Sequence, residues 1–182
     1  MIRKYALFTV FEFLRNSQSK VSIRELARKA KVGVATAKRC IDYLVEKKLV
    51  TKEVIGNIFQ CKLNESNQLV RQMKISLSIA EIEESKLIEE LLESYPSINS
   101  ILLFGSVALG TDNPSSDVDL LIISHQKIKI GPLKAERKLK RELSIITYPH
   151  SVWRGKAKSD KIFYEKVIID SISLYGEKPV VR

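Results

Sequence analysis

Long apolar runs are missing from this 182-residue chain: none approaches the roughly 20 residues that a bilayer span requires. Met1-Ile2-Arg3-Lys4 leads into an amphipathic segment with Glu12 and Arg15, not into the apolar core of a secretory leader. A cytoplasmic location without membrane partners is therefore expected. Cysteine is scarce, with Cys40 and Cys61 standing alone and no Cys-x-x-Cys or Cys/His grouping, which argues against a disulfide framework and a zinc site. The two histidines, His125 and His150, are isolated as well, and surface or loop roles suit them better than catalysis. Internal repeats and low-complexity stretches are absent, so a repeat array is excluded.

What the chain does have is apolar content for ordinary cores, 45% by count, at a length suited to one large or two small domains. It also carries a formal net charge of +10, unevenly spread. Residues 1–65 hold 14 Lys/Arg against 6 Asp/Glu, residues 66–95 hold 3 against 6, and residues 96–182 hold 14 against 9. A basic first third is the electrostatic footprint of a nucleic-acid binder.

That third reads as helices followed by a hairpin. Phe8, Phe11 and Leu14 share a helical face, and Asn16-Ser17-Gln18-Ser19 stops the helix. Ser22 with Glu25 three residues later forms a capping box for a short helix burying Ile23, Leu26, Ala27 and Ala30. After the turn Lys31-Val32-Gly33, a third helix from about Val34 to Lys47 buries Ala37, Ile41, Leu44 and Val45. Its outward face carries Thr36, Lys38 and Arg39, with Asp42 further along, suited to phosphates or guanine edges of duplex DNA. Leu49–Val54 and Ile58–Leu63 then read as strands around a Gly56-Asn57 tip. The region resembles a winged helix-turn-helix domain, whose second helix enters the major groove. A winged domain serving dimerisation or protein contact is the alternative.

The connector follows with helical periodicity at Leu69, Met73, Leu77 and Ala80, continued by Ile82, Leu87, Ile88, Leu91 and Leu92 up to Tyr95-Pro96. It forms one helix or two broken near Ser76-Leu77-Ser78. Its glutamates, among them Glu89 and Glu90, read as a solvated face, and it offers a seam for a homodimer.

The most informative stretch is Ser100-Ile101-Leu102-Leu103-Phe104-Gly105-Ser106-Val107-Ala108-Leu109-Gly110, followed by Ser116-Asp117-Val118-Asp119-Leu120-Leu121-Ile122-Ile123. Two short apolar runs read as strands buried on both faces, the first ending at a Gly-Ser corner. Side chains two apart on a strand point the same way, so Asp117 and Asp119 can converge on one cation while Val118 enters the core. Adjacent carboxylates repel, and a hard divalent ion such as Mg²⁺ relieves them while keeping room for substrate phosphates.

Gly-Ser-x-Ala-x-Gly followed by Ser-Asp-x-Asp between apolar strands resembles the minimal form of the nucleotidyltransferase superfamily. The resemblance implies Mg²⁺ held by Asp117 and Asp119, and a nucleoside triphosphate gripped by Gly105, Ser106 and Ser116. It also implies transfer of a nucleoside monophosphate to a hydroxyl on a protein, an RNA end or a small molecule. Such domains are often paired with a helical toxin-like protein, a further implied partner. Full-strength members carry a third carboxylate on the neighbouring strand, here Glu142–Tyr148, acting on a metal and as general base. The matching position is Ser144, which cannot do that work. Glu142 has the same strand parity and could substitute if the strand is shifted, so it is kept as a catalytic candidate.

Around this motif, Thr111–Ser115 reads as a turn-rich loop in which Asp112 is a loop polar residue, and Leu133 to Arg141 as a basic helix after Pro132. A last helix runs from Ser159-Asp160 to Tyr175-Gly176 with Lys161 and Lys166 on its outer side and Trp153 packed against it. The expected fold class is α+β: a winged helix-turn-helix domain (1–65), a helical connector (66–94) and a nucleotidyltransferase-like α/β domain with a small mixed sheet (95–182). The corresponding function is Mg²⁺-dependent nucleotidyl transfer by a DNA-binding protein. The alternative is a transcriptional regulator whose second domain binds nucleotide or a partner protein without catalysis.

Overall fold

Helices with one apolar face open the chain. In the computed structural model, which describes residues 5–17, 21–55, 58–139 and 141–181, packing divides the protein into two units, Met1–Lys74 and Ile75–Arg182. The first holds α1 (Ala6–Arg15), α2 (Ile23–Lys29), α3 (Val34–Glu46) and the strands β1 (Val21–Ser22), β2 (Val50–Ile55) and β3 (Ile58–Leu63). Ser22 caps α2 by accepting the Glu25 backbone N–H at 3.2 Å, satisfying one of the donors that a helix start leaves open. Phe11, Leu26, Ile41, Leu44 and Cys61 are fully buried in this unit. In α1 the buried face is Val10, Phe11 and Leu14, whereas Phe8, expected beside Phe11, is only half-buried.

β2 and β3 pair antiparallel from Val50↔Leu63 to Ile55↔Ile58. A third strand joins them: β1 pairs with β3 through Val21↔Cys61, giving the order β1-β3-β2. Two residues leave no periodicity to read, so β1 has no sequence signal. The Gly56-Asn57 tip, Gln18-Ser19 of the first helix stop and Lys140 of the basic stretch lie outside the described residues.

The connector is two helices, α4 (Gln68–Ser85) and α5 (Leu87–Ser94). The break falls at Lys86, in left-handed backbone with φ 67°, and not near Ser76–Ser78. Ser85 stabilises the corner by donating to the Ile82 carbonyl at 2.6 Å and accepting the Leu87 N–H at 3.2 Å.

The second unit is built on a four-stranded mixed sheet of β4 (Ile98–Phe104), β5 (Val118–Ser124), β6 (Leu143–Pro149) and β7 (Ile172–Tyr175) in the order β6-β5-β4-β7. β4 runs antiparallel to β5 and β7, while β5 and β6 are parallel. The alternation of side chains splits β4 and β5 between two cores. Ile101, Leu103, Leu120 and Ile122 join Leu87 and Leu91 of α5 and Ala135 and Leu139 of α7 (Lys134–Leu139). Leu102, Leu121 and Ile123 join Trp153 of α8 (His150–Ser159) and Val167 of α9 (Lys161–Asp170). Among the described residues no helix is long and apolar enough to cross a membrane.

The end of the chain departs from expectation. The last helix stops at Asp170, and Ile172–Tyr175 forms the edge strand β7 against β4, with Gly176 (φ 66°) lying where an added Cβ would strike the Asn99 carbonyl. Ile-Ser-Leu-Tyr alternates apolar and polar, a period-2 pattern hidden behind the helical one. His150, expected in a surface or loop role, is exposed and starts α8, a helix with no counterpart in the sequence reading. Trp153 in α8 is fully buried, donates its indole N–H to the Pro179 carbonyl at 2.7 Å, and packs on Tyr164 with ring centroids 5.2 Å apart.

Glu90, expected on a solvated face, is half-buried and makes specific contacts. Its carboxylate accepts the backbone N–H groups of Lys134 and Ala135 at 2.8 and 2.9 Å, capping α7 from α5. These two bonds hold its pKa below the usual carboxylate value. Because the folded pKa is depressed, the stabilisation is present above the unfolded value of about 4.3 and is lost as pH falls through the folded one. Chemical denaturation of wild type and Glu90→Gln from pH 7 to pH 3 is expected to show a gap that narrows on acidification. A constant gap would refute the capping role.

Candidate active site

β4 and β5 meet so that Phe104 pairs with Asp119 across the ladder. Immediately after Phe104 the chain turns into the short helix α6 (Gly105–Leu109) through Gly105 at φ +71°. A side chain at Gly105 would displace the carboxylate: a Cβ there would collide with Oδ2 of Asp119. The main chain of the Gly-Ser corner is thus pressed directly against the carboxylate, and the positive φ is one that glycine adopts without steric cost.

Asp119 is half-buried and Asp117, two residues earlier, is exposed, while Val118 between them is buried. Burial is the main cause that pushes the Asp119 carboxyl above its ordinary pKa; the charge of Asp117 adds to it, and a hydrogen bond from Ser144 opposes it. Ser144 sits opposite Asp119 in the parallel β5–β6 register. Strand β6 is therefore not shifted in the way that would bring Glu142 to this position, and Ser144 is the neighbour of Asp119. Glu142 precedes β6, is exposed, and gives its backbone carbonyl to the Val118 N–H at 2.9 Å. Ser116 accepts the Asn113 N–H on its hydroxyl at 2.9 Å, a bond that closes the loop before the aspartates.

Gly105 and Asp119 open on a cavity of about 240 Å³, lined also by Phe104 and Leu109 and by Phe163, Lys166, Val167 and Asp170 of α9. Lys166, expected on the outer side of the last helix, is exposed and at the same time lines this space. In the first unit, Lys38 and Arg39 of α3 are exposed and Thr36 is half-buried, on a helix separate from these elements.

Residues 86–179, just over half of the chain, match the family described as polymerase beta, nucleotidyltransferase. The chain belongs to the polymerase beta nucleotidyltransferase family. The match covers α5, the whole four-stranded sheet and both site strands, and residues 1–85 lie outside it. Among solved structures, a candidate nucleotidyltransferase from Sulfolobus solfataricus is similar at 15% identity and a TM-score of 0.36, over 59% of this chain and 87% of that one. No curated protein sequence matches the chain.

Polymerase beta nucleotidyltransferases typically use Mg²⁺ and a nucleoside triphosphate. The donor set here fits one such ion in a limited way. Asp117 and Asp119 offer hard oxygens and carry repulsive charge that a cation relieves, but among the described residues no three of His, Cys, Asp and Glu gather closely enough to hold a metal. Two protein carboxylates suit Mg²⁺, which ordinarily completes its shell with water and substrate phosphates.

One feature of this nucleotidyltransferase domain had no sequence signal. Asp112, expected as a loop polar residue, is 1% exposed in its side chain and pairs with Arg141 (9%) at 2.9 Å. The pair ties the loop that precedes the aspartates to the entry of β6. Breaking a buried pair from one side strands a charge, typically at a cost of about 3–5 kcal/mol. Urea unfolding of Asp112→Ala is expected to show a loss of about that size, with much of it recovered in Asp112→Ala/Arg141→Met. Equal losses in the single and double variants would show that the pairing is not what stabilises the loop.

Proposed function

We propose that the second unit transfers a nucleoside monophosphate from a nucleoside triphosphate to an acceptor hydroxyl. The observation that carries this reading is the contact between Gly105 and the Asp119 carboxylate at the mouth of a cavity. The main chain approaches the place where a metal-bound phosphate would lie, and no side chain could be inserted there without moving the carboxylate. Asp117 and Asp119 are the residues that would hold Mg²⁺. When bound, that ion neutralises phosphate charge and favours departure of pyrophosphate. Gly105 and Ser106 accommodate the triphosphate, and Ser116 shapes the loop that presents the aspartates.

Ser144 limits the chemistry. A positioned general base is typically worth about 10²- to 10⁴-fold in rate, and the hydroxyl opposite Asp119 donates a hydrogen bond instead of taking a proton. This one substitution favours a second reading, in which the domain binds nucleotide without rapid transfer. Both readings place nucleotide at the same residues. They separate on turnover.

For the first unit, we infer duplex DNA binding by a winged helix-turn-helix arrangement: α2, the turn at Lys31–Gly33, α3, then the β2–β3 hairpin. Support comes from the basic composition of residues 1–65 and from the exposure of Lys38 and Arg39 on α3, with Thr36 beside them. Asp42 is engaged by Lys52 of β2 at 3.4 Å, which reduces its repulsion of phosphate. Transfer and DNA binding together describe a nucleotidyltransferase that acts from a DNA-bound state.

Incubation with α-labelled ATP, GTP, CTP or UTP, Mg²⁺ and cell extract is expected to label an acceptor with wild type and not with Asp119→Ala. Nucleotide binding without any labelling would select the second reading, and labelling that survives Asp119→Ala would remove the site. Electrophoretic titration of the full chain with duplex DNA is expected to weaken steeply between 50 and 200 mM salt, since phosphate contacts release counterions. Lys38→Ala/Arg39→Ala should lower both the affinity and that salt slope. Binding indifferent to salt would exclude the phosphate contacts.

A further inference from the structure

Four residues of α9, Phe163, Lys166, Val167 and Asp170, line the cavity that Asp119 and Gly105 open upon. Their spacing, i, i+3, i+4 and i+7, is one helical face, so the contribution of α9 is a coherent wall. Lys166 is the one cation among the described lining residues, and the acids it shares the space with are Asp119 and Asp170. Lys166 and Asp170 are a turn apart, a spacing at which such side chains commonly pair. They do not pair, although Lys161 and Glu165 on the same helix do, at 3.5 Å. The ammonium of Lys166 therefore stands in a site containing carboxylates without being neutralised by any of them.

We propose that Lys166 is a phosphate-contacting residue of the nucleotide site, an inference that rests on the nucleotidyltransferase reading above. A triphosphate brings several negative charges toward two carboxylates that already line the space, and the ion held by Asp117 and Asp119 offsets only part of that charge. Lysine is suited to the remainder, being a compact charge on a flexible four-carbon stem that can follow a phosphate group. Size is consistent with this division of labour. At about 240 Å³ the cavity is smaller than the roughly 300–1,000 Å³ of pockets that enclose a whole drug-sized ligand, so it takes the phosphate end and leaves the nucleoside outside. The exposure of Lys166 means that its replacement leaves the fold intact.

Isothermal titration of the full chain with Mg²⁺ and, separately, ATP, pyrophosphate and adenosine tests this without an acceptor. Lys166→Ala is expected to weaken ATP and pyrophosphate by about 10- to 100-fold, the range of a hydrogen bond to a charged group. Its adenosine binding should be unchanged, Lys166→Arg should retain most of the affinity, and Asp170→Asn should not weaken it. ATP binding by Lys166→Ala equal to wild type overturns the inference. If Asp119→Ala meanwhile loses Mg²⁺-dependent ATP binding, the site reading stands and only the role of Lys166 falls. If Asp119→Ala binds normally while Lys166→Ala is weakened, the contact stands and the metal reading falls. Failure of wild type to bind either ATP or pyrophosphate refutes both.

Discussion

A backbone position without a side chain governs the second unit. Oδ2 of Asp119 occupies the volume that a Cβ at Gly105 would need, and the chain reaches that contact at φ +71°. The contact exists because the Phe104↔Asp119 pair ends the β4–β5 ladder at the point where β4 turns into α6. Register is not free to drift. Both strands are buried on both faces, and a slip of one residue would exchange the two apolar sets and turn Asp119 toward the α5 side. Core packing thus fixes where the carboxylate stands, and the glycine leaves room for it against the main chain.

The parts of the sequence that were legible are those in which a short local pattern is also the tertiary fact. Ile101–Leu103 and Leu120–Ile123 read as doubly buried strands because nothing polar interrupts them, and they are buried in the structure. The Ser22–Glu25 cap is legible for the same reason: donor and acceptor are three residues apart. The failures share a different cause. Glu90 caps a helix 44 residues later, and Asp112 pairs with a residue 29 positions away, so neither role leaves a trace nearby. Lys86 breaks the connector in left-handed backbone without being a glycine, and that conformation carries no residue-type signal there.

The chain's last third shows a second kind of ambiguity. Residues 161–175 are apolar often enough to satisfy helical and strand periods at once. Local propensity does not choose; the open edge of β4 does, because its unpaired backbone groups take Ile172–Tyr175 as a partner. Ending the helix at Asp170 instead of carrying it on to Gly176 is what gives α9 its short, fixed span along the site. Lys166 lies on the cavity side because it shares one helical face with Phe163, Val167 and Asp170.

Ser144 is best understood from the same energetics. A third carboxylate beside Asp119 would add negative charge to a place where burial and Asp117 already raise the pKa, and such a site relies on cations to hold its acids ionised. Ser144 donates a hydrogen bond to Asp119 and lowers that pKa in part, satisfying the carboxylate from within the protein. The exchange has two consequences that pull in opposite directions. It makes the site cheaper to fold, because one fewer charge is desolvated, and, on the transfer reading proposed above, it leaves no carboxylate there to take a proton from an incoming hydroxyl. On the reading proposed above, a site so altered would still accept a metal-bound triphosphate while weakening its attack, and the balance between binding and turnover would be set at that one strand position.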